Sequence, residues 1–407
     1  MLGLIGWFGH PSRWPFTAVA LVALSTLMIV YRIRHGINIT DDSEAYLDRA
    51  RAASAGDLAF SRFSDSLHFP PLYPWVVALV ARLPFVGPAG AGVTLNVAAI
   101  AALLLGLDRL TRALYRSPAL PGAWLVVLGG MVTVSAPVMR LGSSVLSDLS
   151  FFALWMWLLV LLVRTIDEDR PTPWPALLGT AMAVALIRYN GVFLLAGACL
   201  ALVGVDAARR RWPWRGVVLG AVGVAPLALW VAWVRAVSPS PELAGGDGVL
   251  GWPATVTDSI EALGSQAAGV KQARVDGVLG RGSFELPGPL ADAVALLAVV
   301  LAVVLVGLAL AALVPDDVPE GDEGRPLAFR LRSIAVASLA GMAAIAVVRI
   351  SSGYFVLQRY WGIVPVVLLL VAARREVGRA YARAGLTSTL LLAIAVANAG
   401  ALVLTMV

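Results

Sequence analysis

The residues of this 407-residue chain that can do chemistry are carboxylates and arginines, set in short polar stretches between long apolar runs. Asp41 and Asp42 stand side by side in the stretch Asn38–Trp75, which also holds Glu44, Asp48, Asp57 and Asp65 in a chain only 14% charged. One such carboxylate can deprotonate a hydroxyl or amine while its neighbour orients it. Thr40 can equally cap a helix whose first turn favours acids, so a structural role for the pair stays open. Asp148 opens a later apolar run, behind Ser143-Ser144-Val145-Leu146-Ser147. It can be an acid of the same site or a helix-terminus partner. Arg188, Arg349 and Arg359 stand at the ends of apolar runs, with Tyr189, Asn190 and Tyr360 beside two of them. An arginine fork matches phosphate oxygens; snorkelling to lipid headgroups is the plainer use. His68 can hydrogen-bond a phosphate or an acid of its own loop. Tyr73 fits a site or an aromatic belt. Lys271, the single lysine, can contact a donor phosphate or an acceptor, or be a solvated loop charge.

The elements that must position these groups are membrane spans. The chain is 59% hydrophobic with a mean hydropathy of +0.83, against roughly 45–50% apolar residues in soluble domains. Apolar runs cover Phe16–Tyr31, Leu72–Val86, Val93–Leu107, Ala123–Val138, Leu149–Val163, Trp174–Ile187, Val192–Val205, Val217–Val234, Leu290–Val314, Ile334–Val348, Trp361–Ala373 and Leu386–Val407. Arg13 and the first run imitate a signal peptide, but no small-residue cleavage pattern follows, so an uncleaved first span is expected. Soluble folds, phosphate-loop enzymes and nucleic-acid modules are excluded; the net charge of +6 resides in arginines of short loops. One cysteine, Cys199, permits no internal disulfide, and His10, His35 and His68 lack zinc-site spacing.

Loops rich in arginine mark the cytoplasmic side. Placing Arg109/Arg112/Arg116, Arg164–Arg170, Arg209–Arg215, Arg325–Arg332 and Arg374–Arg383 there makes the spans alternate, provided Leu72–Val86 does not cross. That run is short of the ~20 residues a bilayer needs and carries Pro74 and Pro84, so it is expected as an interfacial or re-entrant helix. The expectation is an all-α polytopic membrane protein, one domain over 1–407, with about 11 transmembrane helices and juxtamembrane helices on the outer face. The N-terminus is cytoplasmic. The outer face receives a first loop over 32–90, the loop Met139–Asp148, the Arg188–Gly191 turn, a long loop over 236–289 and the segment Arg349–Tyr360. Tyr46, Ala50 and Ala53 give the helix after Thr40 an apolar face to lie on the membrane. In the long loop Asp258 and Glu261 resemble a capping box, and Val256, Ile260, Leu263, Ala267 and Val270 predict an amphipathic surface helix.

The acidic pair after the first span, then Tyr46, Ala50, Gly56 and His68-Phe69-Pro70-Pro71-Leu72-Tyr73-Pro74, resembles the first outer loop of GT-C glycosyltransferases. It is most similar to the branch holding protein O-mannosyltransferases and lipid A aminoarabinose transferases. Asp148 and the Arg359-Tyr360 pair agree in position. The resemblance implies a GT-C-type bundle moving a monosaccharide from a polyprenyl-phosphate carrier to a lipid, glycan or protein acceptor at the outer face of the membrane; the short basic loops and the lack of organelle signals suggest a plasma membrane. It implies an inverting reaction with Asp41 or Asp42 as base, and a carrier phosphate held by arginine. A divalent metal on Asp41, Asp42 and Asp148 is left open, since family members differ; no other cofactor and no nucleic acid is expected. Two other readings are a transporter or flippase of a lipid-linked sugar and a non-catalytic membrane partner. A transporter more often shows charges or Gly/Pro breaks in mid-span and inverted repeats; here most charges sit at span ends and no repeat stands out. In departure from the family pattern, no large C-terminal outer domain is expected in the sequence.

Overall fold

A chain this apolar must satisfy its backbone polar groups inside each segment, and in lipid that means helices. The computed structural model describes residues 13–34, 36–115, 122–167 and 173–238, with pieces at 274–276, 283–285, 332–341 and 364–372 and single residues between. The first helix, α1 (Trp14–Ile33), starts on Pro15 and turns Phe16, Val19, Leu27 and Val30 outward while Met28 and Ile29 are buried. The amphipathic α2 (Asp41–Ser54) and the nine-residue α3 (Leu72–Val80) follow. Nine residues rise only about 13 Å, far below the roughly 30 Å of a bilayer core, so α3 does not span. Then come α4 (Pro88–Tyr115), α5 (Gly122–Thr133) and α6 (Ala136–Gly142). The expected single run Ala123–Val138 is broken at Val134–Ser135, because Pro137 cannot donate in the first turn of α6. Helix α6 also carries the chain to Gly142, so the expected loop Met139–Asp148 shrinks to residues 143–147.

Helix α7 (Asp148–Ile166) is the axis of the bundle: fifteen of its nineteen residues are buried. Helices α4, α8 (Trp174–Ile187) and α9 (Asn190–Ala208) pack around it, and α10 (Trp214–Val237) lies on α8 and α9. Residues 332–341 pack on α9 so closely that a Cβ on Gly197 would stand 2.1 Å from the Ala337 carbonyl oxygen. In helix α11 (Val364–Ala372), residues 364–371 are buried. Six helical stretches among the described residues, α5 and α6 counting together as one, are long and apolar enough to cross a membrane, with α8 a shorter apolar helix. The chain is a multi-pass helical membrane protein. Of the spans expected beyond residue 289, Leu386–Val407 lies outside the described residues and Leu290–Val314 largely so. Ile334–Val348 and Trp361–Ala373 are described as helix over 334–341 and 364–372, and the helix expected over Val256–Val270 lies outside. One departure from an all-helical fold falls in the long loop: β1 (Arg274–Asp276) and β2 (Ser283–Glu285) pair antiparallel.

The helices alternate between two ends of the bundle. One end gathers residues 34, 36–87, 143–147 and 188–189, tied together by side chains. Asn38 donates to Ser144 Oγ at 2.9 Å, and its backbone bonds the Ser143 carbonyl at 3.0 Å. Fully buried Asn96 on α4 donates to the Leu141, Gly142 and Ser144 carbonyls at 3.1, 3.3 and 2.6 Å. These carbonyls lie at and just past the end of α6, where few helical donors remain, so Asn96 caps the helix from outside it. Asn96→Leu keeps the size and removes the donor; it is expected to cost about 2 kcal/mol, read as a lower melting temperature in detergent. The opposite end carries Arg112, Arg164 and Arg209–Arg211.

Candidate functional site

Helix α2 begins where Thr40, in extended conformation, accepts the Ser43 amide on its side-chain oxygen at 3.2 Å. The acids of the first turn suit the positive end of the helix dipole. Helical spacing then sorts them. Asp42, Tyr46, Arg49, Ala50 and Ala53 share the face turned into the protein, and Asp41 is exposed while Asp42 is half-buried. The face carried by Tyr46, Ala50 and Ala53 does not lie on lipid, as the sequence suggested. It packs on α3 inside the protein, because an apolar stripe is served equally by either surface.

Tyr46 links this helix to the start of α7. Its hydroxyl lies 2.7 Å from Ser147 Oγ, and its ring packs against Tyr73 at 4.9 Å and Phe69 at 4.7 Å. Beside Ser147, the Asp148 carboxylate is buried and receives Arg188 Nη1 at 2.7 Å; the same nitrogen lies 3.4 Å from Ser147 Oγ. Arg188 is delivered by the junction of α8 and α9, where its extended backbone ends α8. Gly191 makes that junction possible: a Cβ there would stand 2.0 Å from the Val184 carbonyl oxygen. The other Asp148 oxygen and the Tyr73 hydroxyl are buried without a hydrogen-bond partner among the described residues. Two acids, two phenols and a guanidinium from four separate segments therefore meet at one end of the bundle.

Burial pushes the Tyr73 phenol well above its usual range, with Tyr46 and Asp148 adding to the effect. Burial also raises Tyr46, opposed by the Arg188 charge. Both phenols stay protonated in the folded chain where an unfolded chain releases them near pH ~10. Above that pH the unfolded state binds fewer protons than the folded one, so stability falls as pH rises. Melting temperature is expected to drop between about pH 9 and 11, and to drop less in Tyr73→Phe.

A second buried cluster holds the loop over this site. Arg49 is nearly inaccessible; it pairs with Asp65 at 2.7 Å and donates to the Asp65 and Ala45 carbonyls at 3.0 and 3.1 Å. Its guanidinium lies over the Phe63 and Phe69 rings at 5.0 and 4.8 Å. Tyr189 donates to the Leu67 carbonyl, and burial raises its phenol as well. His68 is half-buried with its ring 4.3 Å from Phe69. The two ends of the Arg49–Asp65 pair differ: the Asp65 side chain is 46% exposed and that of Arg49 is 2%. Asp65→Ala strands a buried charge, whereas Arg49→Met frees a carboxylate that reaches water. Asp65→Ala is thus expected to destabilise more, by about 2–3 kcal/mol, measured by melting both variants.

Among the residues singled out in the sequence, the structure brings Asp42, Tyr73, Asp148 and Arg188 together, with His68 and Tyr189 in the loop layer and Asp41 facing out. Arg188 holds Asp148 and so is compensated within the protein. Lys271, Arg349, Arg359 and Tyr360 lie outside the described residues. Arg49, Ser147, Asn38 and Asn96 were not singled out for the site. Arg49 alone left a signal, a charge on the apolar face of a helical pattern.

Two solved structures resemble the chain. The crystal structure of ArnT from Cupriavidus metallidurans in the apo state has a TM-score of 0.44 and 17% identity, over 94% of this chain and 76% of that one. The same protein bound to undecaprenyl phosphate gives a TM-score of 0.43 and 17% identity, over 97% and 78%. Neither fixes an activity for this chain. No family model matches it, and no curated protein matches it in sequence.

Among the described residues no three His, Cys, Asp or Glu side chains converge as a metal site. Of the acids that could have held one, Asp148 already carries Arg188 and Asp41 is exposed. That falls short of the oxygen-rich shell a divalent cation prefers, so no step below passes through a metal.

Proposed function

We propose that the chain is an inverting glycosyltransferase using a polyprenyl-phosphate-linked monosaccharide, with its site on the extracytoplasmic face. The observation that carries the reading is the meeting of Asp42, Tyr46 and Tyr73 with the Asp148–Arg188 pair at the end of the bundle away from the arginine-rich loops. The positive-inside preference assigns that end to the outside. The first-loop motif supports the donor class.

Asp42 is the base. It shares the inward face of α2 with Tyr46, while exposed Asp41 serves the helix terminus. Its carboxylate takes the proton of an acceptor hydroxyl or amine as that atom bonds the anomeric carbon. The bond from that carbon to the phosphate oxygen breaks on the opposite side, and its electron pair leaves with the polyprenyl phosphate. The departing group gains negative charge, which arginine stabilises: Arg188, steadied by Asp148, or Arg349 or Arg359, which the family resemblance suggests and which lie outside the described residues. The neutral phenols of Tyr46 and Tyr73 offer donors to sugar or phosphate oxygens. No covalent nucleophile is needed.

The test is release of labelled polyprenyl phosphate by the purified chain in proteoliposomes, over a panel of donor sugars and of lipid, glycan and peptide acceptors. Release that requires both donor and acceptor is expected. Movement of intact donor across the bilayer without release would make the chain a transporter instead.

A further inference from the structure

The turn between α3 and α4 carries apolar side chains that the proposed chemistry does not use. Helix α3 itself is packed: Tyr73, Pro74, Val77 and Ala78 are buried, and the helix lies on α2 and α4. Beyond Ala78 the pattern changes. Leu79, Leu83 and Phe85 are exposed, Phe85 fully so. The turn is held in place while it presents them. Val80, Ala81 and Val86 pack on the core. The Arg82, Leu83 and Val86 amides bond the Leu79, Val80 and Leu83 carbonyls at 3.2, 3.0 and 3.2 Å.

Phe85 is the unusual residue. Its φ is +66°, in the left-handed region that suits glycine and strains a bulky side chain. A strained residue persists where its surroundings over-determine it. Phe60, at φ +55°, is such a case: its ring is buried against Trp230 of α10. The Phe85 ring has no such burial, so the surroundings that favour it lie outside the chain.

The length of α4 says what those surroundings are. Its far end turns polar at Asp108, which pairs with Arg112 at 2.9 Å. From Asp108 back to Pro88 the helix rises about 30 Å, roughly the thickness of a bilayer's hydrocarbon core. Thr94, Ala98, Ala101 and Leu105, on one helical face, are exposed between the two. With Asp108 at one boundary, Pro88 stands at the other. The turn that leads into Pro88 then lies where acyl chains meet headgroups. Arg82, exposed in the same turn, can extend to the headgroup level.

We propose that residues 79–85 form a wedge that docks in the lipid leaflet on the candidate-site side, with the Phe85 ring as its anchor among the upper acyl carbons. The wedge fixes the height of α3, and with it Tyr73, at the membrane surface. It needs only a membrane protein, and stands or falls apart from the transferase reading.

The test places a nitroxide spin label on single cysteines of the full chain carrying Cys199→Ala, in phosphatidylcholine liposomes. Phe85→Cys reports the wedge, and Glu44→Cys, at an exposed position of α2, is the aqueous reference. Relaxation by oxygen, which concentrates in lipid, is compared with relaxation by a water-soluble nickel chelate. The oxygen-to-chelate ratio is expected to be several-fold higher at position 85 than at 44. A label on Leu83→Cys is expected to show a similar ratio. That ratio is expected to fall when Phe85→Gly is added, a change that also relieves the left-handed residue and so keeps the fold. Equal ratios at 85 and 44 would overturn the proposal. So would a label at 83 that does not respond to Phe85→Gly. Dipolar broadening at 85 that vanishes on dilution with unlabelled chain would place a second copy on the wedge and overturn the lipid.

Discussion

Asp42→Asn is expected to lower sugar transfer by about 10²–10⁴-fold, the usual worth of a positioned base, while Asp41→Asn costs less than about tenfold. The amide keeps the size of the side chain and much of its favourable alignment at the helix terminus, so melting should barely change. Donor binding should also survive, because the phosphate is held by arginine and not by this acid. The contrast between the neighbours is the sharp part. Both are first-turn acids of α2, and a purely capping role would affect them alike. Only their faces differ: Asp42 is half-buried on the face of Tyr46, and Asp41 is exposed. Steady-state transfer and melting of the two variants side by side are the measurement. Equal losses, or a larger loss at Asp41, would remove Asp42 as the base.

Asp148→Asn is expected to destabilise the fold by about 3–5 kcal/mol, the cost of breaking a buried ion pair from one side. The Asp148 side chain is 1% exposed and its partner Arg188 is 14% exposed, so the arginine left behind gains little from water. Arg188→Met should cost about as much for the mirror-image reason. The double variant Asp148→Asn/Arg188→Met removes both charges and is expected to recover much of the lost melting temperature. It should still fail to transfer sugar, since the site then lacks both its second acid and its cation. A double-mutant cycle in melting, with transfer measured on all four proteins, separates the two effects. A stable double variant with parental turnover would show that the pair is scaffold alone.

Much of the fold was legible because lipid leaves few choices. Apolar runs became helices, and the arginine count agreed with the alternation of ends that the side-chain ties reveal. The short, proline-bounded run after Pro71 read correctly as too short to span, and α3 stops at Val80. What stayed hidden had physical causes. The face of Tyr46, Ala50 and Ala53 was assigned to lipid because an apolar stripe does not name its partner; only the contact with α3 does. The break before α6 was missed because Pro137 sits within an otherwise continuous apolar run. For the site, the residue types Asp, Arg and Tyr were legible, and their pairing was not. Arg188 reads as an outward cation until the junction at Gly191 brings it onto Asp148. Asn96 gave no signal, since a lone asparagine in a span is recognisable as a cap only when the broken helix it serves is seen.

The central claim is that this end of the bundle consumes a lipid-linked sugar and does not merely carry it. The most direct measurement is a single turnover of pre-bound, labelled polyprenyl-phosphate sugar in proteoliposomes, with binding and breakdown followed in the same sample. The account predicts that parent and Asp42→Asn bind the donor alike, and that only the parent converts it to polyprenyl phosphate when acceptor is present. Donor consumed equally by both, or bound by both and left intact with every acceptor, would contradict it.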